Sequence, residues 1–267
     1  MKNPEEQPTV QDEVNREVYY SPEIWRYYHS HNLFPAEVGA LLKYQPHVAG
    51  GDVLDIGVGA GRTTRYLAPV ARRYEAIDYS PVMVDHMRGA FPTVSVRQAD
   101  LRELTPFAEE TFDFIMASDN VIDALSHEDR MQALGEVRRV LRSGAVFAFS
   151  SHNLQYAHAY DGPTLEWCRN PVTLARRVGD LVTRLRNHRR VAPHRMVTPE
   201  YAILNDEGQN FACLHYYASR DAVASQLERS GMRLLEVFDT DGQSMRDGQD
   251  SSDCPSLLYV ASRVPDA

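Results

Sequence analysis

Nine consecutive residues carry the densest chemical signal in this chain. In Val53-Leu54-Asp55-Ile56-Gly57-Val58-Gly59-Ala60-Gly61 an apolar run passes directly into three alternating glycines. An apolar strand followed by G-x-G-x-G, with a helix expected from about Arg62, is a nucleotide-binding turn. Glycine lets the chain turn sharply and lets a ligand approach the backbone, while a helix N-terminus offers free amide N–H groups. A dinucleotide fingerprint asks for a small residue one step after the place where Gly61 stands, and the chain has Arg62 there, which disfavours a pyrophosphate. Asp55 adds a negative charge that would repel a pyrophosphate and attract an ammonium group. The expected cofactor therefore carries a cation.

Two further acids follow strand-like runs. Asp78 ends Tyr74-Glu75-Ala76-Ile77-Asp78, where a carboxylate can accept both hydroxyls of a ribose. Asp100 follows the next run, where a carboxylate can accept from an exocyclic adenine amine while Leu101 and Met83 sandwich the ring. A single Asp at a strand end is more often a turn former or a helix cap. Three acids at successive strand ends read together as an adenosine site.

Candidates for chemistry on a second substrate lie after later strands, since parallel-sheet sites open at the carboxyl ends of strands. Ser118-Asp119-Asn120-Val121-Ile122-Asp123 offers Asp119, Asn120 and Asp123, and Ser150-Ser151-His152-Asn153 offers His152 as a general base near neutral pH. His127 is better explained as the start of a helix capped by Ser126. His215-Tyr216-Tyr217, with Tyr19, Tyr20, Trp25, Tyr27 and Tyr28, reads either as an aromatic lid that excludes water or as ordinary core packing. Between Arg169 and Arg195 eight arginines stand against the single acid Asp180. The helical spacing of Leu174, Val178, Leu181 and Leu185 makes Arg176, Arg177, Arg184 and Arg186 a solvated helix face, with a lid for an anionic substrate as the functional alternative.

The elements that must hold these residues alternate in period. Strands are expected at 52–56, 74–78, 94–98, 112–117, 145–150, 233–238 and 256–261, and helices at 62–71, 81–90, 127–141 and 220–230. Such alternation implies βαβ units and a mostly parallel sheet. The stretch 239–255 has no helical pattern, so the last strand should be antiparallel. Two segments stand outside the pattern: a Tyr- and His-rich N-terminal segment that looks helical, and 152–219, inserted after the fifth strand. The expected organisation is a helical cap at 1–46, a cofactor-binding core at 47–151, a substrate-covering insert at 152–219 and completion of the core at 220–267.

The acid-x-G-x-G-x-G turn, Asp78, the Gln98-Ala99-Asp100 step and Phe112-Asp113 together resemble class I S-adenosylmethionine-dependent methyltransferases, over about Gly51 to Ser151 plus the terminal strand pair. The resemblance implies an α/β fold with a seven-stranded sheet of order 3-2-1-4-5-7-6, strand 7 antiparallel and helices on both faces. It implies S-adenosyl-L-methionine as cofactor and S-adenosyl-L-homocysteine as product. By position, Asp55, Gly57, Gly59 and Gly61 would border the methionine end, Asp78 and Tyr79 the ribose, and Met83, Asp100 and Leu101 the adenine. Asp119 or Asn120 would lie by the reacting methyl, and Tyr20 is expected to join the cofactor site from the N-terminal segment.

Composition sets the outer limits. A formal net charge of -9 opposes a nucleic-acid coat, and no N-P-P-Y type base-methylation motif follows the fourth strand, so an RNA methyltransferase is a weaker reading. An NAD-dependent oxidoreductase and a non-catalytic cofactor-binding protein are the other rivals. No apolar run spans a membrane and the N-terminus lacks a secretory pattern, so a cytoplasmic protein is expected. Cys168, Cys213 and Cys254 fit neither metal spacing nor a disulfide framework, and no metal site is expected. The expected partner is a small-molecule methyl acceptor, an anionic one, a sugar or a secondary metabolite, methylated on oxygen or nitrogen; homodimerisation is left open.

Overall fold

Short apolar runs become the strands that hold the site, and the polar segments between them become helices and turns. The structure, a computed structural model, describes residues 8–22, 24, 28 and 32–265. In chain order its helices and strands are α1 (Val10–Tyr19), α2 (Pro35–Lys43), α3 (Gln45–Val48), β1 (Asp52–Ile56), α4 (Thr64–Leu67), β2 (Arg73–Asp78), α5 (Pro81–Ala90), β3 (Ser95–Gln98), β4 (Phe112–Ala117), α6 (His127–Val140) and β5 (Leu141–Asn153). There follow α7 (Pro171–Val191), β6 (Met196–Val197), β7 (Tyr201–Leu204), β8 (His215–Ala218), α8 (Arg220–Arg229), β9 (Met232–Phe238) and β10 (Ser256–Arg263).

The core sheet has the expected order. Strands β3, β2, β1, β4 and β5 are parallel neighbours, and β10 pairs antiparallel with both β5 and β9. Phe114, Ile115, Met116 and Phe147 are fully buried in it, each worth roughly 1.5–3 kcal/mol of transfer free energy. Ser126 caps α6 by accepting from Asp129 N, as its position before His127 implied. Among the described residues no helix is long and apolar enough to cross a membrane.

Three expectations need correction. Among the described residues the sheet has ten strands, because β6, β7 and β8 emerge from the insert. Strand five runs to Asn153, and its extra length has a partner: His152 and Asn153 pair in parallel with Tyr217 and Ala218 of β8. Since β10 occupies the other edge of β5 at His152, β8 takes the edge that β4 vacates after Ala117, above the carboxyl end of β4. The helix expected at 62–71 is only Thr64–Leu67, because Pro69 supplies no N–H to continue the backbone hydrogen bonds. Within the described residues the N-terminal segment contributes three short helices, in keeping with its helical look. Trp25 and Tyr27 lie outside the described residues.

Helix α1 is attached by polar contacts. Gln11 Nε2 donates to the carbonyls of Asp123 and Leu214, and Asn15 Nδ2 to those of Ala124 and Leu214. These bonds tie α1 to both the turn after β4 and the start of β8, the two segments that frame the site.

Candidate active site

The glycine turn combines left-handed backbone geometry with close contacts that leave no room for a side chain at Gly57 or Gly61. Gly57 has φ +66°, and a Cβ there would fall 2.4 Å from Val121; at Gly61, φ +81°, it would fall 2.3 Å from the Phe91 ring. Gly57 and Gly59 line a cavity of about 240 Å³, whereas Gly61 turns away to pack against Phe91 and Met87. Gly61 is thus a packing residue, a correction to its expected place at the cofactor.

The acids lie where the strand ends place them. Asp78 accepts from Gly59 N at 2.9 Å and Ser80 N at 2.8 Å, which braces the turn against the end of β2; burial pushes its carboxyl up to about 6. Asp55 lines the cavity floor, but its Oδ2 is engaged by the hydroxyls of Thr63 and Tyr74, both at 2.6 Å, and burial pushes it too up to about 6. At the opposite end lie Met83, Asp100 and Leu101. Asp100 is paired with Arg102, which also binds Asp12 of α1 and Asp129 of α6. Tyr79 lines the cavity, and Tyr20 stands behind it, ring centroids 5.1 Å apart, a correction to the direct contact expected of Tyr20.

An ion pair from outside the core was not legible in the sequence. Glu37 of α2 is 1% exposed and binds both Arg62 and the hydroxyl of Ser118, while the Arg62 guanidinium lies 4.2 Å over the Phe34 ring. Phe34, Arg62 and Ser118 line the cavity at the glycine end. No local spacing links residues 37, 62 and 118, although the odd Arg62 was the available signal.

Asp119 and Asn120 follow β4 at φ +57° and +58°, left-handed geometry that non-glycine residues adopt at a cost and that clusters at functional sites. Ser150 Oγ accepts from Asn120 N and helps hold the bend. Asp119, Asn120, Tyr19 and Tyr28 belong both to the first cavity and to a second one of about 480 Å³, so they form the boundary between the two.

His152 lies in the second cavity. Its Nδ1 is 2.7 Å from Asp123 Oδ2, and its backbone N donates to the same oxygen. Asp123, expected as a candidate for direct chemistry, is fully buried beneath His152 and pairs with Arg130 at 2.6 Å. The alternation of β8 divides the aromatic run: His215 and Tyr217 face the second cavity, whereas Tyr216 packs against Arg130 and Tyr201. Asp206 accepts from His215 Nδ1 at 2.8 Å and Tyr217 OH at 2.7 Å. Burial opposes charge on His215, but Asp206 outweighs it and pushes the imidazole up to about 9. His127 hydrogen-bonds Tyr216 and stacks on Tyr201, away from both cavities.

Of the arginines between 169 and 195, Arg184 alone lines the second cavity. Helix α7 holds the cavity wall by other contacts. Asn187 donates to Asn210 O, and Arg184 lies over Phe211, steadying a turn in which Gln209, Asn210 and Phe211 all have positive φ.

Residues 53–144 match the family described as Methyltransferase domain. A probable S-adenosylmethionine-dependent methyltransferase of Mycolicibacterium smegmatis is 39% identical over 105 residues, 39% of each chain. A malonyl-[acyl-carrier protein] O-methyltransferase of Pectobacterium atrosepticum is 32% identical over 113 residues, 42% of each chain. The chain thus spans about two fifths of the length of these curated relatives. Among solved structures, an S-adenosylmethionine-dependent methyltransferase from Mesorhizobium loti has TM-score 0.57 at 20% identity, covering 85% of this chain and 98% of that one. The Burkholderia thailandensis 1,6-didemethyltoxoflavin-N1-methyltransferase, with 1,6-didemethyltoxoflavin and S-adenosylhomocysteine bound, has TM-score 0.58 at 13% identity, covering 99% and 94%. These two likenesses are likenesses of fold.

Proposed function

Because the core of this chain is a class I S-adenosylmethionine-dependent methyltransferase domain, we propose that the protein methylates an oxygen or nitrogen of a small polar molecule held in the second cavity. The observation that carries this reading is the shared boundary: Tyr19, Tyr28, Asp119 and Asn120 face both cavities, so two ligands would meet there.

The first cavity fits the cofactor by its donor set. Acids at Asp55, Asp78 and Asp100 suit an ammonium group, ribose hydroxyls and an adenine amine, and Arg62 at the glycine end suits a carboxylate. Bound there, S-adenosylmethionine supplies a methyl group on a positively charged sulfur. The chain's own work is to position. Asp78 and Gly59 hold the ribose end, Asp119 and Asn120 keep the boundary in one geometry, and the aromatic rings of Tyr19 and Tyr28 exclude water. His152 is the residue placed to activate the acceptor, since Asp123 fixes its Nδ1 and leaves Nε2 to the cavity.

Unpartnered acceptors mark what the second cavity wants. Among the described residues, Asn120 Oδ1 and Gln209 Oε1 are buried without a hydrogen-bond partner, and both residues line it. They favour an acceptor rich in hydroxyl or amine donors. Calorimetric titration with S-adenosylmethionine, S-adenosylhomocysteine and NAD tests the cofactor, and a screen of hydroxylated and amine acceptors for S-adenosylhomocysteine release tests the reaction. Binding of the first two, lost in Asp78→Ala, is expected; binding of NAD instead would overturn the reading.

A further inference from the structure

His152, Asp206 and His215 come from the end of β5, the loop after β7 and the start of β8, yet a nitrogen or oxygen of each lies within 4.8 Å of the others. The contact between His152 Nδ1 and Asp123 Oδ2 must be donated by the ring, because a carboxylate only accepts. In the neutral imidazole Nε2 then carries a lone pair, and it faces Asp206 Oδ2 at 3.7 Å. A lone pair turned toward a carboxylate is relieved by positive charge at Nε2, supplied by a proton or by a metal ion. The gap is too wide for a direct N–H···O bond, but two ligands about 2.1 Å from one ion span it readily. His215 Nδ1, which donates to the same oxygen at 2.8 Å, is close enough to share that ion once the ion has displaced its proton. Asn120 adds an independent sign. Its Nδ2 stands 3.3 Å from His152 Nε2 while its Oδ1 is buried without a partner, and a half-turn of the amide exchanges the two.

We propose that His152 Nε2, Asp206 and His215 Nδ1, with the amide oxygen of Asn120, form a binding site for a divalent transition cation. Two imidazoles and a carboxylate suit Zn²⁺, Mn²⁺ or Co²⁺, and Asp123 behind His152 is the carboxylate that orients and strengthens a ligating imidazole. The cation sits at the boundary with the cofactor cavity and leaves positions open toward the second cavity. It selects an acceptor with a hydroxyl next to a second oxygen donor. Its work is to hold and acidify that hydroxyl, whose proton leaves to solvent, so His152 activates the acceptor as a ligand. The bonds made and broken remain those of methyl transfer. The choice of acceptor rests on the methyltransferase reading; the cation site rests on its own geometry.

The full chain, freed of metal by a chelator, is titrated with Mn²⁺ by electron paramagnetic resonance and with Co²⁺ by proton NMR. One cation per chain is expected, with affinity reduced roughly tenfold or more in Asp206→Asn. The Co²⁺ form should show two strongly shifted exchangeable imidazole N–H resonances, one from each histidine. Absence of binding, or binding unchanged in Asp206→Asn, would overturn the proposal. Should that variant not fold, the resonance count in the unsubstituted protein decides: two support the site and none sinks it. A parallel titration with S-adenosylhomocysteine separates the two readings, because nucleotide binding without cation binding removes only the metal site, and the converse removes only the methyltransferase reading.

Discussion

Asp78 shows how a carboxylate is prepared for a ligand and what that preparation costs. Burial raises it to about 6, so the empty protein ionises it reluctantly, whereas hydroxyl donors from a bound ribose would favour the charged form. The sign follows: ligand binding lowers the pKa of Asp78, so affinity should rise as pH increases through about 6 and then level off, with protons released on binding near that pH. Calorimetry of S-adenosylhomocysteine in buffers of different ionisation enthalpy measures the release, and a pH-independent affinity would contradict it. At the boundary, His152→Gln should lower kcat by roughly a hundredfold or more while changing the dissociation constant for S-adenosylhomocysteine less than about threefold, because His152 faces the second cavity alone. Asp55, Asp78 and Asp100 were legible because each ends or follows an apolar run, and strand ends are where parallel sheets open. Glu37 and Asp206 were not, and His215 was read only as part of an aromatic lid or the core. Their partners lie 25 or more residues away for Glu37 with Arg62, and 63 away for His215 with His152, and only tertiary packing brings them together.

Among the elements, the five parallel strands and the final antiparallel pair were readable from apolar runs and their turn signals, whereas β6, β7 and β8 were not. They are short, two residues in β6 and four each in β7 and β8, and His215-Tyr216-Tyr217 alternates between cavity and core instead of forming one apolar face. The loss of most of the helix after Arg62 was available in Pro69. Helix α6 and β5 are joined by Arg130, which is fully buried and meets Asp123, Ser151, Gln226 and the Tyr216 ring. Arg130→Met should cost about 3–5 kcal/mol in chemical denaturation, since it leaves Asp123 buried without its cation. The outward face of α7 predicts the opposite. Arg186→Glu and Arg189→Glu lie at exposed positions and should each alter stability by less than about 0.5 kcal/mol, with S-adenosylhomocysteine binding unchanged in calorimetry.

At the scale of the whole molecule, charge and ligand sites are segregated. The chain carries -9 overall, but the stretch from Arg169 to Arg195, with eight arginines and one aspartate, carries +7 and leaves -16 for the remainder. The first cavity is built by strand ends of the core together with α1 and the segment at Phe34, so filling it should stabilise the assembly as one unit. At a hundredfold excess over its dissociation constant, S-adenosylhomocysteine should add about 2.7 kcal/mol, raising Tm by roughly 5–10 °C; a thermal scan without a shift would argue against the site. The join between β5 and β8 has another consequence. Within the sheet, His152 with Tyr217 and Asn153 with Ala218 are the register pairs that sew the insert to the parallel core, supported by Tyr216 against Arg130 and His127, and that short seam delivers most of the second cavity's wall. We expect residues 154–218 to be exchangeable as a cassette if those packing partners are kept. A chain of the same core with a different hairpin grafted onto those two register pairs would keep its methyl donor and change its clientele.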